Sequence, residues 1–530
     1  MSRHFRHVVL VTVLLSMVSM SGARSAAAQG EKTIWSPRPL VVGSCCDDPK
    51  SIDPAVAIDI GGTRIINMAY EGLTRYKPGT PEIEPLLATS WTVSSDSRTY
   101  TFNLRKGVRF HDGTEFNARA VKVSFDRVKS MQLGVAFFLS AVSAVNVVGE
   151  STVQIILSRP DITFFYGVPR IKIISPTALA KNRKAGDWAQ DFFRENEVGT
   201  GPYRLERWDR GRQIEMVAFP GYWKGWKGKH IQRFIDRFSL DYSTKLLLLE
   251  QGQLDQIDPI GISDIKRLQD NKKIRIGAVD VIRGYYYIMN NKRGPLRDVR
   301  VRQAMLFAFP FDQMIKDLMA GYATPMRSLA TSNMDGFCPS FEGKQDLRRA
   351  RELLAEAGYP SGGFKLTMVI LVGYETRRLS SQLFKAALAD LGIQLEILEK
   401  EFGTLLESQK RVETAADFVD LFVTSPIPYA GAQLFRLGHS SNQGGSWNWA
   451  FYEKPEFDRL IEESQQTVDR NRRNQILCRA QRLIMQDAAI LPIMNQQNLD
   501  ASRTRLVGYK YDPYGYTNDF HAYDLYIEGD

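Results

Sequence analysis

The stretch Arg283-Gly-Tyr-Tyr-Tyr-Ile-Met-Asn-Asn-Lys-Arg-Gly-Pro-Leu-Arg-Asp-Val-Arg-Val-Arg-Gln-Ala-Met305 decides the fold. Tyr285, Tyr286, Tyr287 and Ile288 have strong β propensity and read as a buried or half-buried strand. Gly294-Pro295 is a breaker. Asp298 then offers a carboxylate to the free N–H groups of a new helix. Val301, Ala304, Met305 and Ala308 follow at the spacing of one helix face. Pro310 ends that helix near Phe309. Asp312 is placed to cap a second helix carrying Met314, Ile315, Leu318 and Met319. A strand that feeds a helix pair just past the middle of a 530-residue chain marks a domain junction.

Far upstream, residues 1–28 hold Arg3, Arg6 and Arg24 and no acid, followed by an apolar run from Val8 to Met20 and then Ala26-Ala27-Ala28. A basic end, an apolar centre and small residues at the close make a signal peptide cleaved near Ala28. The alternative, a membrane anchor, asks too much of the run: it rises only about 20 Å as a helix against a hydrocarbon core of about 30 Å. The expected mature protein is soluble and periplasmic. Removing 28 of 530 residues leaves 502, a length for two or three domains.

Lys and Arg total 69 against 59 Asp and Glu, a net charge of +10 that falls to +7 in the mature chain. The excess is modest and dispersed, and no basic-aromatic RNA or DNA motif accompanies it, so no nucleic-acid partner is expected. Four cysteines, Cys45, Cys46, Cys338 and Cys478, would meet an oxidising compartment, and three full pairings are open. Cys45-Cys46 reads as two small residues at a strand end, with a vicinal disulfide or a cleft-lining pair as the other reading. His111, Asp112 and Glu115 suggest a metal or acid–base site at first sight. Asp112-Gly113 is better read as a turn, and no second histidine completes a ligand set. No metal, cofactor or catalytic group is expected. With six His, no G-x-S-x-G and no H-E-x-x-H, a secreted hydrolase is the weakest function class.

The first half of the chain carries short pieces in a fixed order: Ile52-Asp-Pro54, Tyr70-Glu-Gly-Leu73, Pro85-Leu-Leu-Ala88 with Trp91, and Tyr100-Thr-Phe-Asn-Leu-Arg-Lys-Gly-Val-Arg-Phe-His-Asp-Gly113. Glu197-Val-Gly-Thr-Gly-Pro-Tyr203 is glycine-rich but lacks the spacing of a phosphate loop, and reads as a turn before a strand. Gly221-Tyr-Trp-Lys-Gly225 and the helix ending in Gly252-Gln-Leu-Asp255 follow. Together with the 283–305 stretch, this order resembles the solute-binding proteins of peptide and nickel ABC transporters, family 5, over nearly the whole mature chain.

Downstream of the junction, Asp346 opens a helix with Leu347, Ala350, Leu354 and Ala357 on one face, stopped by Gly358 and Pro360. A strand over 365–371, a helix with Leu379, Leu383, Ala387 and Leu391, and a strand with Ile393, Leu395 and Ile397 imply a βαβ unit. The resemblance then implies an α/β, two-lobed periplasmic-binding-protein fold of the large peptide-binding class (type II) with an inserted small domain. Its expected parts are a first lobe from residues 29–78, 199–284 and 491–530, the small domain from 79–198, and a further lobe from 285–490.

The resemblance also locates a ligand. In peptide-binding members a Gly-Trp segment followed by an Asp holds the ligand's amine, because a desolvated ammonium needs a countercharge. Counting from Asp420, Ser425 stands at that glycine, Pro426 at the Trp and Tyr429 at the Asp. The anchor is missing, so free di- and tripeptides are expected to bind poorly unless another acid, such as Asp47 or Asp48, meets the amine. Cys45, Cys46, Tyr285 and Tyr286 lie where the family's cleft lies. Trp447 and Trp449, two apart, face one way and serve either core packing or a cleft wall. The expected function is capture of a peptide-like or other small organic solute by hinge closure. The expected partners are ABC permease subunits with their ATPases, and the expected state is a monomer. A sensory adaptor that presents its ligand to a membrane receptor would look the same in sequence. Ligand identity, whether peptide, opine, sugar derivative or metal chelate, stays open.

Overall fold

The structure is a computed structural model that describes residues 32–445, 447–514 and 522–529. The expected signal peptide, residues 1–28, lies outside the described residues. Among these, no helix is long and apolar enough to cross a membrane.

One large sheet runs through the molecule. From one edge its strands are Gln394–Lys400, Lys365–Leu371, Phe418–Thr424, Ile274–Met289, Ile490–Arg503, Gln256–Ile257, Leu40–Gly43, Arg233–Arg237, Gln213–Ala218 and Tyr203–Asp209. The expected βαβ unit is present: Lys365–Leu371 and Gln394–Lys400 pair in parallel, joined by the helix Glu375–Ala389. The strand expected at Tyr285–Ile288 is only the end of a 16-residue strand. Its antiparallel partner Ile490–Arg503 is also longer than the expected Leu491-Pro-Ile-Met.

These two long strands cross from one lobe to the other. Residues 274–280 pair with 497–503, and 284–288 pair with 490–495, with the register broken between Asp280 and Gly284. Beyond the break on one side lies Phe418–Thr424, paired with 283–289; on the other lies Gln256–Ile257, paired with 501–502. A bulge loosens the ladder and re-aims side chains locally. The carboxamide of Asn495, oriented as its neighbours' hydrogen bonds require, spans the break by donating to the carbonyls of Val281 and Arg283 at 2.9 and 3.1 Å. Pro492, which has no N–H for the ladder, sits at a second register shift opposite Tyr286.

Local rules explain the helices. Asp298 caps Val299–Ala308 by accepting from Arg300 N, Asn117 caps Ala118–Met131, and Asp346 caps Leu347–Glu356. The second helix of the junction departs from expectation. It is a short turn, Phe311–Gln313, running into a π-helical turn, Met314–Leu318. Pro310 holds its cap position, so Asp312 falls inside the first turn and pairs with Lys316 at 3.2 Å.

A separate four-stranded sheet, Ala88–Val93, Thr99–Leu104, Thr152–Leu157 and Val142–Gly149, forms the small domain with the helix Ala118–Met131. The glycine-rich turn ties it to the first lobe. A Cβ on Gly199 would lie 1.9 Å from the carbonyl oxygen of Ala69, so backbone packs on backbone there. Glu71, from the Tyr-Glu-Gly-Leu piece, is buried and accepts from Thr200, Tyr222 and Trp223. Its role is structural, and burial raises its pKa. The small domain also touches the second lobe. Tyr166 stacks on Tyr429 at 5.3 Å and donates to Asp335, which takes Arg470 and Arg473 as well. None of the three full pairings is formed: the structure bonds Cys338 to Cys478 and leaves Cys45 and Cys46 as free thiols.

Candidate functional site: the cleft between the lobes

Strand alternation decides which residues reach the cleft. Along Phe418–Thr424 and the loop after it, Phe422, Thr424 and Pro426 are half-buried, whereas Leu421, Val423, Ser425 and Ile427 are buried. Successive side chains point to opposite faces, so the exposed set is the one at 422, 424 and 426. Arg283 is the register partner of Thr424 and Tyr285 that of Phe422, so these four share one face. Tyr285 lies against Phe422 at 4.3 Å and gives its hydroxyl to Asp420.

A cavity of about 510 Å³ opens between the lobes. Cys46, Asp47, Ile58 and Ile60 line it from the first lobe and Thr424 from the second. Ile58 is 56% exposed, an apolar surface facing the gap. Asp47 is exposed on the cavity wall. Asp48 is engaged: it accepts from Trp208 at 2.7 Å and from Gly211 N at 3.0 Å, and pairs with Arg210. Behind this wall Arg64 is fully buried between Asp236 (3.1 Å) and Asp258 (3.4 Å). The Cys45 thiol is pushed up by its hydrogen bond with Cys46 and by burial, and that bond draws Cys46 down.

The structure separates the residues that sequence reasoning grouped. Tyr285 and Tyr286 have no exposed surface. Tyr286 donates to the Leu329 carbonyl at 2.6 Å and accepts from Gln433. Ser425 is buried, its hydroxyl turned onto the Ile427 carbonyl. Tyr429 is buried against Tyr166, its hydroxyl 3.1 Å from Ser464. Trp447 and Trp449 stack at 5.3 Å. Trp449 is buried, whereas Trp447 is half-buried under Arg436, whose guanidinium lies 4.1 Å from the ring and donates to the Thr424 carbonyl. Of the expected residues, Cys46 lines the cavity itself and Trp447 stands near its Thr424 wall. Sequence reasoning missed Phe422, Thr424, Ile58 and Arg283. The alternation of 421–427 was readable, but not which phase faced outward.

Opposite Tyr285, Asp420 accepts from Leu371 N and pairs with Arg377 at 3.1 Å. Burial nonetheless lifts its carboxyl to about 6, with Arg377 opposing. His111 has a structural environment. Its Nδ1 lies 2.7 Å from Glu197 and its Nε2 2.9 Å from the Gly201 carbonyl. Both neighbours only accept, which suits an imidazolium. Burial opposes that charge, but Glu197 and the carbonyl outweigh it and the pKa is raised.

A two-lobed α/β protein with two strands crossing between lobes that flank a cavity is a solute-binding protein of the hinged type. Residues 82–443 match bacterial extracellular solute-binding proteins, family 5 Middle, and the chain belongs to that family. It is 29% identical to the glutathione-binding protein GsiB of Pectobacterium atrosepticum over 506 residues, 91% of this chain and 93% of the relative. It is 30% identical to the dipeptide-binding protein of Escherichia coli K12 over 477 residues, 84% and 87% of the two chains. The ABC transporter substrate binding protein CtaP of Listeria monocytogenes superimposes with a TM-score of 0.83 at 22% identity, covering 93% of this chain and 99% of CtaP.

Proposed function

We propose that this protein captures a peptide-like solute outside the cytoplasm and hands it, as a monomer, to an ABC permease with its ATPases. The observation that carries the reading is the cavity between Cys46, Asp47 and Ile58 on one lobe and Thr424 on the other. It is the size of a small-ligand site and mixes apolar with charged lining. Relatives named for glutathione and dipeptide binding support a peptide-like ligand class. The ligand site is the face of Phe422, Thr424 and Pro426, with Trp447 near Thr424, set against Cys46 and Asp47. The register break at 281–283 serves as hinge, because closure needs a few residues that absorb a backbone change.

The amine is met by Asp47 rather than from the position of Tyr429. A buried phenol already bonded to Ser464 offers no countercharge, whereas Asp47 is exposed on the cavity wall. The test is mass spectrometry of small molecules released from protein purified out of periplasm, followed by calorimetry of each on Asp47→Asn. The expected result is a peptide-like solute whose affinity drops about tenfold or more in the variant if it carries an amine. A released ligand with neither amide nor amine overturns the peptide-like reading. Steady turnover of that ligand by the pure protein overturns the binding role.

A further inference from the structure

We infer that Arg283 is the carboxylate contact of the cleft, an inference that rests on the solute-binding reading above. Arg283 sits at the register break of the first crossing strand, on the same face as Thr424, which lines the cavity. Its guanidinium lies 5.5 Å from the centre of the Phe422 ring, and that of Arg377 lies 5.2 Å from the same ring. Arg377 has a carboxylate, Asp420, at 3.1 Å. Among the described residues the Arg283 side chain has no ion pair and no hydrogen bond, and its Nε is buried without a partner. Two guanidinium groups lie against one ring and only Arg377 has a carboxylate, which leaves the Arg283 charge uncompensated beside the Thr424 lining of the cavity.

Physical chemistry makes that arrangement unfavourable in the empty protein and favourable in a complex. A guanidinium carries five N–H donors in a planar fork that matches a carboxylate with two parallel hydrogen bonds. Partial burial strips water from the charge, and the like charge of Arg377 adds repulsion. Burial first, then Arg377, hold the Arg283 pKa below its usual value, with Tyr511 working the other way. A carboxylate entering the cleft would supply the missing acceptor and relieve the repulsion together. The opposite wall carries Asp47 and Asp59 with a single cation, Lys50, and so is net acidic, whereas the second-lobe side has Arg283 next to the Thr424 lining. That field fits a ligand with an acid at one end and an amine or amide at the other, its acid toward the second lobe.

The test uses the mature protein with matched pairs of small peptides, each as free acid and as carboxyl-terminal amide, with and without amino-terminal acetylation. Affinity is read by calorimetry. The expected result is that acids bind at least tenfold tighter than their amides, that Arg283→Met brings the two within about twofold, and that Arg283→Lys restores part of the preference. A role confined to packing on Phe422 would weaken acid and amide alike. Equal binding of acid and amide by the unmutated protein, or an unchanged acid-to-amide ratio in Arg283→Met, overturns the assignment and leaves the solute-binding reading standing. If no peptide of the panel binds at millimolar concentration, the peptide-like reading fails and this inference falls with it.

Discussion

Arg127 and Arg283 hold the same charge in opposite circumstances. Arg127, on the helix Ala118–Met131, is buried and reaches Asp53 through two hydrogen bonds of 2.7 and 2.6 Å. Its Nε donates to the Trp188 carbonyl and its plane lies over Phe193. Arg283 also lies over an aromatic ring, but nothing in the described residues accepts from it. The difference separates framework from site. A charge in the framework carries its counterion with it, because removing an ion from water costs several kcal/mol unless the geometry compensates. A charge at the cleft can leave that place open for a ligand.

The comparison is best broken from the Arg127 side, where the largest effect is expected. Asp53→Ala leaves a buried guanidinium without its carboxylate and should cost about 3–5 kcal/mol in urea unfolding. A loss under about 1 kcal/mol would show that buried pairing does not hold the small domain to the first lobe.

Tyr429 sharpens the same contrast between framework and site. It belongs to the framework by burial, so Tyr429→Asp should not install an amine anchor. It should place a carboxylate beneath Tyr166 and remove a large packed ring, at a cost of about 3 kcal/mol or more. Near-native stability with tighter binding of free peptides would instead place Tyr429 in the site.

A third measurement concerns a buried acid whose charge is poorly balanced. Burial lifts the Asp500 carboxyl to about 7, Asp258 adds to the shift, and Arg275 only partly offsets it. The folded pKa is raised, so between pH 4 and 7 the native state binds more protons than the unfolded chain. Its contribution is fully present below about pH 4 and is lost as pH rises to 7. Asp500→Asn should therefore stabilise the protein at pH 8 by on the order of 2 kcal/mol, with the gain vanishing toward pH 4. Denaturant midpoints across that range check the slope, and a gain that grows on acidification would reverse its sign.

The smallest effect belongs to Arg283 itself. With no partner to lose, Arg283→Met should change unfolding stability by less than about 1 kcal/mol. A loss comparable to that of Asp53→Ala would mean that Arg283 is framework after all.

Much of the fold was legible because it is written locally. Asn117, Asp298 and Asp346 cap the helices they precede, since a cap needs only the backbone two or three residues ahead. The βαβ unit over 365–400 follows from a change of period within one short stretch. Where a local cue failed, as at Asp312, a neighbouring proline had already taken the cap position. The site was less legible. Tyr285, Tyr286, Ser425 and Tyr429 were expected at the cleft, yet all four side chains are buried: Tyr286 and Ser425 point away from the cleft face, Tyr285 shares the face of Phe422 but is covered by that ring, and Tyr429 packs under Tyr166. A shift of one residue along a strand exchanges the two faces, and burial comes from elements far along the chain.

The sequence by itself determined most of the framework: nearly all of which segments are strands and helices, where glycine must be glycine, and which family pattern they follow. Tertiary structure alone decided the rest. It chose the phase that sends Phe422 and Thr424 outward, the 281–283 break in the crossing strands, and the bond between Cys338 and Cys478 across 140 residues. It also gave Arg377 a carboxylate and left Arg283 without one. The reason is physical. Propensity and capping act over a few residues, whereas counterion and face are set by contacts between residues tens to more than a hundred positions apart.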